Sequence, residues 1–347
     1  MRLRRSDLAR PGYRRRRRGR GVTFLDTDGR PLTDHAELAR LRELVIPPAW
    51  RDVWISPHPA GHIQAVGTDA AGRRQYLYHP QWRARRDTAK FEHVRRVAER
   101  LPRLRRRVAA DLRGGGLRRE RVLATVVRLL DLGMFRIGSD QYADGDDPTF
   151  GVATLRSTHT RVGRGCVVLD FPAKGGIPQV RRITDPQVCA VLRDLRRRRT
   201  GEQRLFCYWD GRQWREVHSD EINSYLRAAS GTDMTAKDFR TWHATVRAAT
   251  TLARGGVPRS TAARRRAVAA AMRDVADLLG NTPTVARASY VDPRVVELFH
   301  RGHVVRLGRA AVPDDGGGPP SAAAEDAVRR LLPLPECGPV LRPSGRG

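Results

Sequence analysis

Near residue 85 the spacing of apolar side chains changes, and this predicts two stretches of different architecture in one chain. Before that point, short β-prone segments at residues 21–32, 53–55, 63–66 and 75–78 are separated by turn signals at Asp28-Gly29, Pro59-Ala60-Gly61 and Ala71-Gly72. They predict a small antiparallel sheet with one helix near residues 35–44. From Asp87 the period lengthens. Phe91, Val94, Val97 and Leu101 recur every three or four residues, as do Val122, Val126, Leu129 and Leu130, which lines one face of a helix.

The helical pattern is interrupted once. Residues 151–155 and 166–170, Lys174-Gly175-Gly176 and residues 179–183 read as a small sheet with a hairpin inserted among helices. Helices follow at residues 185–198 and 219–229, and a further one runs from Ser260 to a stop at Gly280. The fold class expected is therefore α+β: a small antiparallel β-rich N-terminal domain, then a mostly α-helical domain with a small inserted sheet. The expected boundaries are a disordered basic arm at residues 1–20, the β-rich domain at 21–86, the helical domain at 87–311, and a linker and flexible tail at 312–347. Pro, Gly and Ala dominate the start of that tail, and residues 325–332 are compatible with a short helix.

Charge narrows the partner. Lys plus Arg number 66 against 37 Asp plus Glu, and the net charge of +29 is far beyond what solubility requires. The first twenty residues alone carry ten arginines and one aspartate, which reads as a solvated arm. No uncharged apolar stretch is long enough to span a membrane or form a signal peptide, so a cytoplasmic, nucleoid-associated protein is expected. Cys166, Cys189, Cys207 and Cys337 form no C-x-x-C pair and have no His at ligand spacing. Neither a metal site nor a disulfide framework is expected, and no cofactor.

Only three of the basic residues are lysines: Lys90, Lys174 and Lys237. An ammonium can be tuned to give up a proton and a guanidinium cannot, so in a chain this rich in Arg the lysines are candidates for acid–base work. Lys237 stands three residues before Arg240, and Lys174 sits in a Gly-rich turn. Arg136 follows an apolar helix in Phe135-Arg136-Ile137-Gly138-Ser139-Asp140-Gln141-Tyr142. Thr282 with Pro283, and Asp292 with Pro293, start two helices, which leaves Tyr290 at the joint between them. Two arginines, a lysine and a tyrosine around one phosphate form a coherent set. Guanidinium forks neutralise a pentavalent transition state, the phenol attacks, and the ammonium protonates the departing oxygen. Taken one at a time, each residue is equally compatible with a surface arginine, a turn lysine or a packed tyrosine.

In this order the motifs resemble those of the type IB DNA topoisomerases, in the compact bacterial and poxvirus-like branch, from about Gly21 to about Arg306. Tyrosine recombinases share the catalytic fold. In them a His-x-x-Arg stands where Lys237 and Arg240 stand here. The resemblance implies a monomeric enzyme that clamps duplex DNA and nicks one strand with Tyr290. It keeps a 3′-phosphotyrosyl bond, lets the broken strand rotate and reseals it, without ATP or metal. It assigns catalysis to Tyr290, Arg136, Lys174 and Arg240. Relatives carry a His nine residues before the Tyr, where this chain has Asn281; an amide can donate to a phosphate oxygen but cannot carry charge, so oxyanion stabilisation is expected of it. Lys237 and His243 are possible supporting residues. Gln75, Tyr76 and Tyr78 on one β segment, with Tyr142 and Lys90, are the expected DNA contacts. A tyrosine recombinase and a nonenzymatic basic DNA-coating protein are the alternatives. Against the first, recombinases usually begin with a helical domain; against the second, coating DNA requires no tyrosine at a helix joint.

Overall fold

The computed structural model describes residues 1–19, 21–144, 147–198, 204–308 and 318–334. The chain divides into two compact units, Met1–Phe91 and Glu92–Gly347.

The first unit begins with a strand where an unstructured arm was expected. β1 (Tyr13–Arg18) pairs antiparallel with β2 (Gly21–Leu25) on one side and β3 (Arg51–Ile55) on the other. With β4 (Ile63–Thr68) and β5 (Arg74–Tyr78) the sheet order is β2-β1-β3-β4-β5. The arm is therefore an interior strand, and the reason is visible at Arg15. Its half-buried guanidinium donates to the carbonyls of Ile46, Pro47 and Trp50 at 2.9, 2.9 and 2.7 Å, which ties the strand to the loop at residues 46–50. Helix α1 (His35–Glu43), N-capped by the Asp34 carboxylate, buries Leu41 against Val53, Ile55 and Ala65 of the sheet. Tyr13, Phe24 and Leu77 complete that core.

Helix α2 (Pro80–Leu112) starts before the division between the units and continues into the second. There α3 (Arg119–Gly133) is buried along most of its length. Strands β6 (Thr160–Val162), β7 (Val167–Pro172) and β8 (Pro178–Ile183) form an antiparallel sheet, and β9 (Cys207–Trp209) pairs with β10 (Trp214–Glu216). The helices are α4 (Pro186–Arg197), α5 (Ser219–Ser230), α6 (Ala236–Arg254), α7 (Thr261–Leu279), α8 (Pro283–Ser289), α9 (Pro293–His300) and α10 (Ala322–Leu331). Residues 151–155 are not a strand. Val152–Thr154 is a single buried 3-10 turn: Val152 N–H donates to Arg136 O at 3.0 Å, Ala153 N–H to Ile137 O at 2.7 Å, and Thr154 N–H closes the turn on Gly151 O at 2.9 Å.

Within the tail, residues 318–334 are not loose. α10 buries Ala324, Glu325, Ala327 and Val328 in the main core. Glu325 is 1% exposed; it accepts from Arg105 Nη1 and Nη2 at 2.6 and 2.9 Å and from Trp242 Nε1 at 3.1 Å. The remainder of the expected linker and tail, with Cys337, lies outside the described residues. Cys189 and Cys207 are buried and Cys166 half-buried. Among the described residues there is no cluster of potential metal ligands, and no helix is long and apolar enough to cross a membrane.

Glu325→Ala should lower unfolding free energy by about 3 kcal/mol, the scale for removing one partner of a buried ion pair. Urea titration of the full chain measures it; a loss below about 1 kcal/mol would remove α10 from the core's essential contacts.

Candidate active site

The site is built on the end of α7. Gly280 stops that helix in the left-handed region (φ 61°), and Asn281 N–H closes back on Ala276 O at 2.9 Å. The turn leaves the carbonyls of the last residues without helical donors, and two arginines take them. Arg181 of β8 donates from Nη2 to Leu278 O at 2.5 Å, and Arg240 of α6 donates from Nη2 to Leu279 O at 2.9 Å. Arg240 Nη1 also donates to Met134 O, at the left-handed C-cap of α3 (φ 52°). One guanidinium thus joins the C-terminal ends of two helices.

Arg136 leaves the same C-cap in an extended loop. That loop is fixed by close approach of two glycines: a Cβ on Gly151 would stand 2.3 Å from Gly138 N. Arg136 Nη2 donates to Asn281 Oδ1 at 2.6 Å. A guanidinium only donates, so this bond sets the amide's orientation and turns Asn281 Nδ2 away from Arg136. Among the described residues Asn281 Nδ2 and Arg240 Nε are buried donors with no partner.

Tyr290 caps α8, whose start is set by the Thr282 side chain and Pro283. Asp292 then caps α9, so the tyrosine occupies the joint. Thr245 of α6 holds the joint in place: its hydroxyl lies 3.2 Å from Tyr290 O and accepts from Asp292 N–H at 3.1 Å. The ring of half-buried Tyr290 lies 5.3 Å from the Arg240 guanidinium carbon, which is the carbon of a 4% exposed side chain.

These positions set the electrostatics. Burial first, and then the charge of Arg136, push the Arg240 guanidinium down to about 10. Burial also lowers Arg181. For Tyr290, burial alone would raise the phenol; the cations Arg240, Arg136 and Lys237 together outweigh it and hold the phenol below its ordinary value. The cluster is a concentration of positive charge around a weakened phenol, with buried donors to spare, which is the chemistry that would suit an anion beside a nucleophile.

The other candidates are placed as follows. Lys237 is exposed in the first turn of α6 and contributes charge at Tyr290. Lys174 is exposed at the turn between β7 and β8, where Gly175 and Gly176 have φ of 79° and 71°, and its charge is not among those acting most strongly on Tyr290. His243 is fully buried, with Nε2 2.9 Å from Asp131 Oδ1 and its ring stacked on Phe239, so it is committed to the interior. Burial would raise the Asp131 carboxyl, but His243 and Arg105 hold it well below the usual range. Tyr142 is exposed in a 3-10 turn (Asp140–Tyr142), in the motif that carries Arg136. In the first unit, Tyr76 and Tyr78 stack 6.1 Å apart on the exposed face of β5, and are not core. Gln75 turns the other way and donates to Asp69 at 2.9 Å. Lys90 pairs with Asp87 at 3.2 Å and lies over Phe91.

Arg181 and Thr245 escaped the sequence reading. The signal for Arg181 was period two: Gln179 and Arg181 share the inward side of β8 with buried Ile183. Thr245 gives no comparable signal, since its partners come from another helix pair.

Residues 79–298, more than half of the chain, match the family model described as eukaryotic DNA topoisomerase I, catalytic core, and residues 21–69 match that described as bacterial DNA topoisomerase IB, N-terminal domain. A DNA topoisomerase 1B of Acanthamoeba polyphaga mimivirus is 26% identical over 296 residues, covering 83% of this chain and 87% of that protein. The chain belongs to the type IB DNA topoisomerase family, and hence to the isomerases that act on DNA.

Replacing Arg240 by Gln removes the strongest of the cations at Tyr290 and leaves burial less opposed, so the phenol should titrate at higher pH than in the parent. The difference in phenolate absorbance between each protein and its Tyr290→Phe counterpart isolates this group. An unchanged midpoint would show that Arg240 does not set its acidity.

Proposed function

We propose that this protein relaxes supercoiled duplex DNA by two successive transesterifications at Tyr290. The phenolic oxygen attacks a backbone phosphorus and its proton is lost to solvent. The P–O5′ bond breaks, and the 5′ oxygen leaves as a hydroxyl after receiving a proton from a lysine. The 3′ end is then held as a phosphotyrosyl diester while the free strand rotates, and reversal reseals it. One phosphodiester replaces another at each step, so no nucleotide has to be hydrolysed. In this reading Arg136 and Arg240 bind the non-bridging oxygens, and the charge they supply removes the need for a metal. Asn281 Nδ2 donates to one of those oxygens.

The single observation that carries the reading is the pairing of a phenol held below its ordinary value with two buried donors that have no partner among the described residues, Arg240 Nε and Asn281 Nδ2. All these groups come from one chain, which supports action as a monomer. Supercoiled plasmid incubated in EDTA without nucleotide tests it. A ladder of topoisomers is expected; recombinant products or a mobility shift alone would contradict it.

Tyr290→Phe should abolish both relaxation and the covalent adduct trapped with SDS, while duplex binding stays close to that of the parent. The arginines and the +29 charge remain in that variant. An adduct that persists and maps elsewhere would move the nucleophile.

Lys174 is the proposed proton donor, an ammonium without an ion-pair partner among the described residues. Lys174→Ala should slow cleavage by at least ~10²-fold, the lower range for a positioned proton donor, and Lys174→Arg should also be poor. A substrate with sulfur in place of the bridging 5′ oxygen needs no such proton, so Lys174→Ala should recover most of its rate on it. Equal deficits on both substrates, with recovery in Lys237→Ala instead, would transfer the role to Lys237.

A further inference from the structure

The N-terminal sheet has two unlike faces, and strand register identifies them. Tyr13, Ile55, Ala65 and Leu77 pair in a transverse row on the face that packs on α1. The neighbouring row, Arg14, Trp54, Val66 and Tyr76, therefore lies on the opposite face. Alternation along β1 adds Arg16 and Arg18 to that face, and along β5 it adds Arg74 and Tyr78. Arg14, Arg16 and Arg18 are exposed, and among the described residues none of their guanidinium groups has a hydrogen bond or ion pair. Arg15 between them points to the α1 side, where its guanidinium donates to three carbonyls. None of the residues paired across the open face is acidic.

We propose that β1 is a phosphate-gripping strand: Arg14, Arg16 and Arg18 each engage a separate phosphate of a duplex laid on the sheet face opposite α1. The ladder lies before the residues matched by the N-terminal family model, 21–69. The inference rests on duplex DNA being the partner. Its support is charge complementarity together with register. Alternate arginines on one strand stand about 6.8 Å apart, far enough for three guanidinium groups to act on three phosphates. The row they start runs on through Trp54, which donates to Arg10 O at 3.1 Å, and Val66, which is 2% exposed, to the stacked Tyr76 and Tyr78, so the arginines and the tyrosines are the two exposed ends of one row. Deleting the first twenty residues would remove an interior strand and does not test this; point substitution on the open face does.

The experiment measures duplex-oligonucleotide binding by the full chain over a range of salt. Neutralising the ladder as R14Q/R16Q/R18Q should flatten the slope of log K against log salt by about 2.7, at roughly 0.9 per lost phosphate contact. R16Q alone should flatten it by about 0.9, and R14K/R16K/R18K should keep the parent slope. R193Q/R196Q/R197Q on the exposed side of α4 removes the same charge from another element and should change the slope by less than one contact's worth. Circular-dichroism melts confirm that each variant is folded; if the triple is not, R16Q and the lysine triple decide. An unchanged slope in R14Q/R16Q/R18Q, or an equal change in the α4 triple, overturns the inference. Plasmid relaxation by the unaltered protein is read separately, so failure of the functional reading and failure of the ladder give different results.

Discussion

The arrangement depends on a guanidinium that has been buried without a carboxylate. Arg240 is 4% exposed, and its hydrogen-bond partners are the carbonyls of Met134 and Leu279. Desolvating a cation costs several kcal/mol. Two features of the fold offset this here. Both acceptors sit at the C-terminal ends of helices, α3 and α7, where the backbone dipoles present negative charge. The left-handed turns at Met134 and Gly280 aim those ends at one point. Had an aspartate been supplied instead, an incoming phosphate would have to displace it. Carbonyls hold the group in place and leave its formal charge available.

The same helix carries a second buried polar cluster that is arranged in the opposite way. Around Arg105, the carboxylates of Asp131 and Glu325 meet the guanidinium, His243 and the indole of Trp242. The cluster fastens α2, α3, α6 and α10 to one another. Trp242 and His243 follow Arg240 within a turn of α6, so the helix that carries Arg240 is fastened by this cluster. A helix held by contacts to three others is a rigid base for a side chain whose Nε has no partner among the described residues.

The elements that sequence reasoning located well are those fixed by local chemistry. Gly280, Thr282 with Pro283, and Asp292 with Pro293 act through bonds to residues two to four positions away, so the joint that holds Tyr290 was legible before any packing was known. The errors share a different cause. β1 looked like a solvated arm because the carbonyls that take up Arg15 belong to a loop 31 to 35 residues later. The helix at α10 looked like part of a flexible tail because Arg105, which meets Glu325, lies 220 residues earlier. Composition counts charges without knowing where their partners are. His243 fell into the same gap: three residues from Arg240 it looked available, and only the fold shows its ring given to Asp131.

Asn281 can be understood through the same electrostatics. Arg136, Arg181 and Arg240 already crowd the end of α7, and the charge of Arg136 adds to burial in lowering Arg240. A fourth cation at position 281 would add to that repulsion and further weaken the hold of each guanidinium on its proton. An amide avoids this. It accepts from Arg136, which steadies the one arginine that hangs from a loop, and it still presents an N–H of its own. The loss is any capacity to relay a proton, and under the proposed mechanism that task falls to an ammonium. In a chain with only three lysines among its 66 basic residues, such a role would account for a lysine standing where an arginine would carry the same charge.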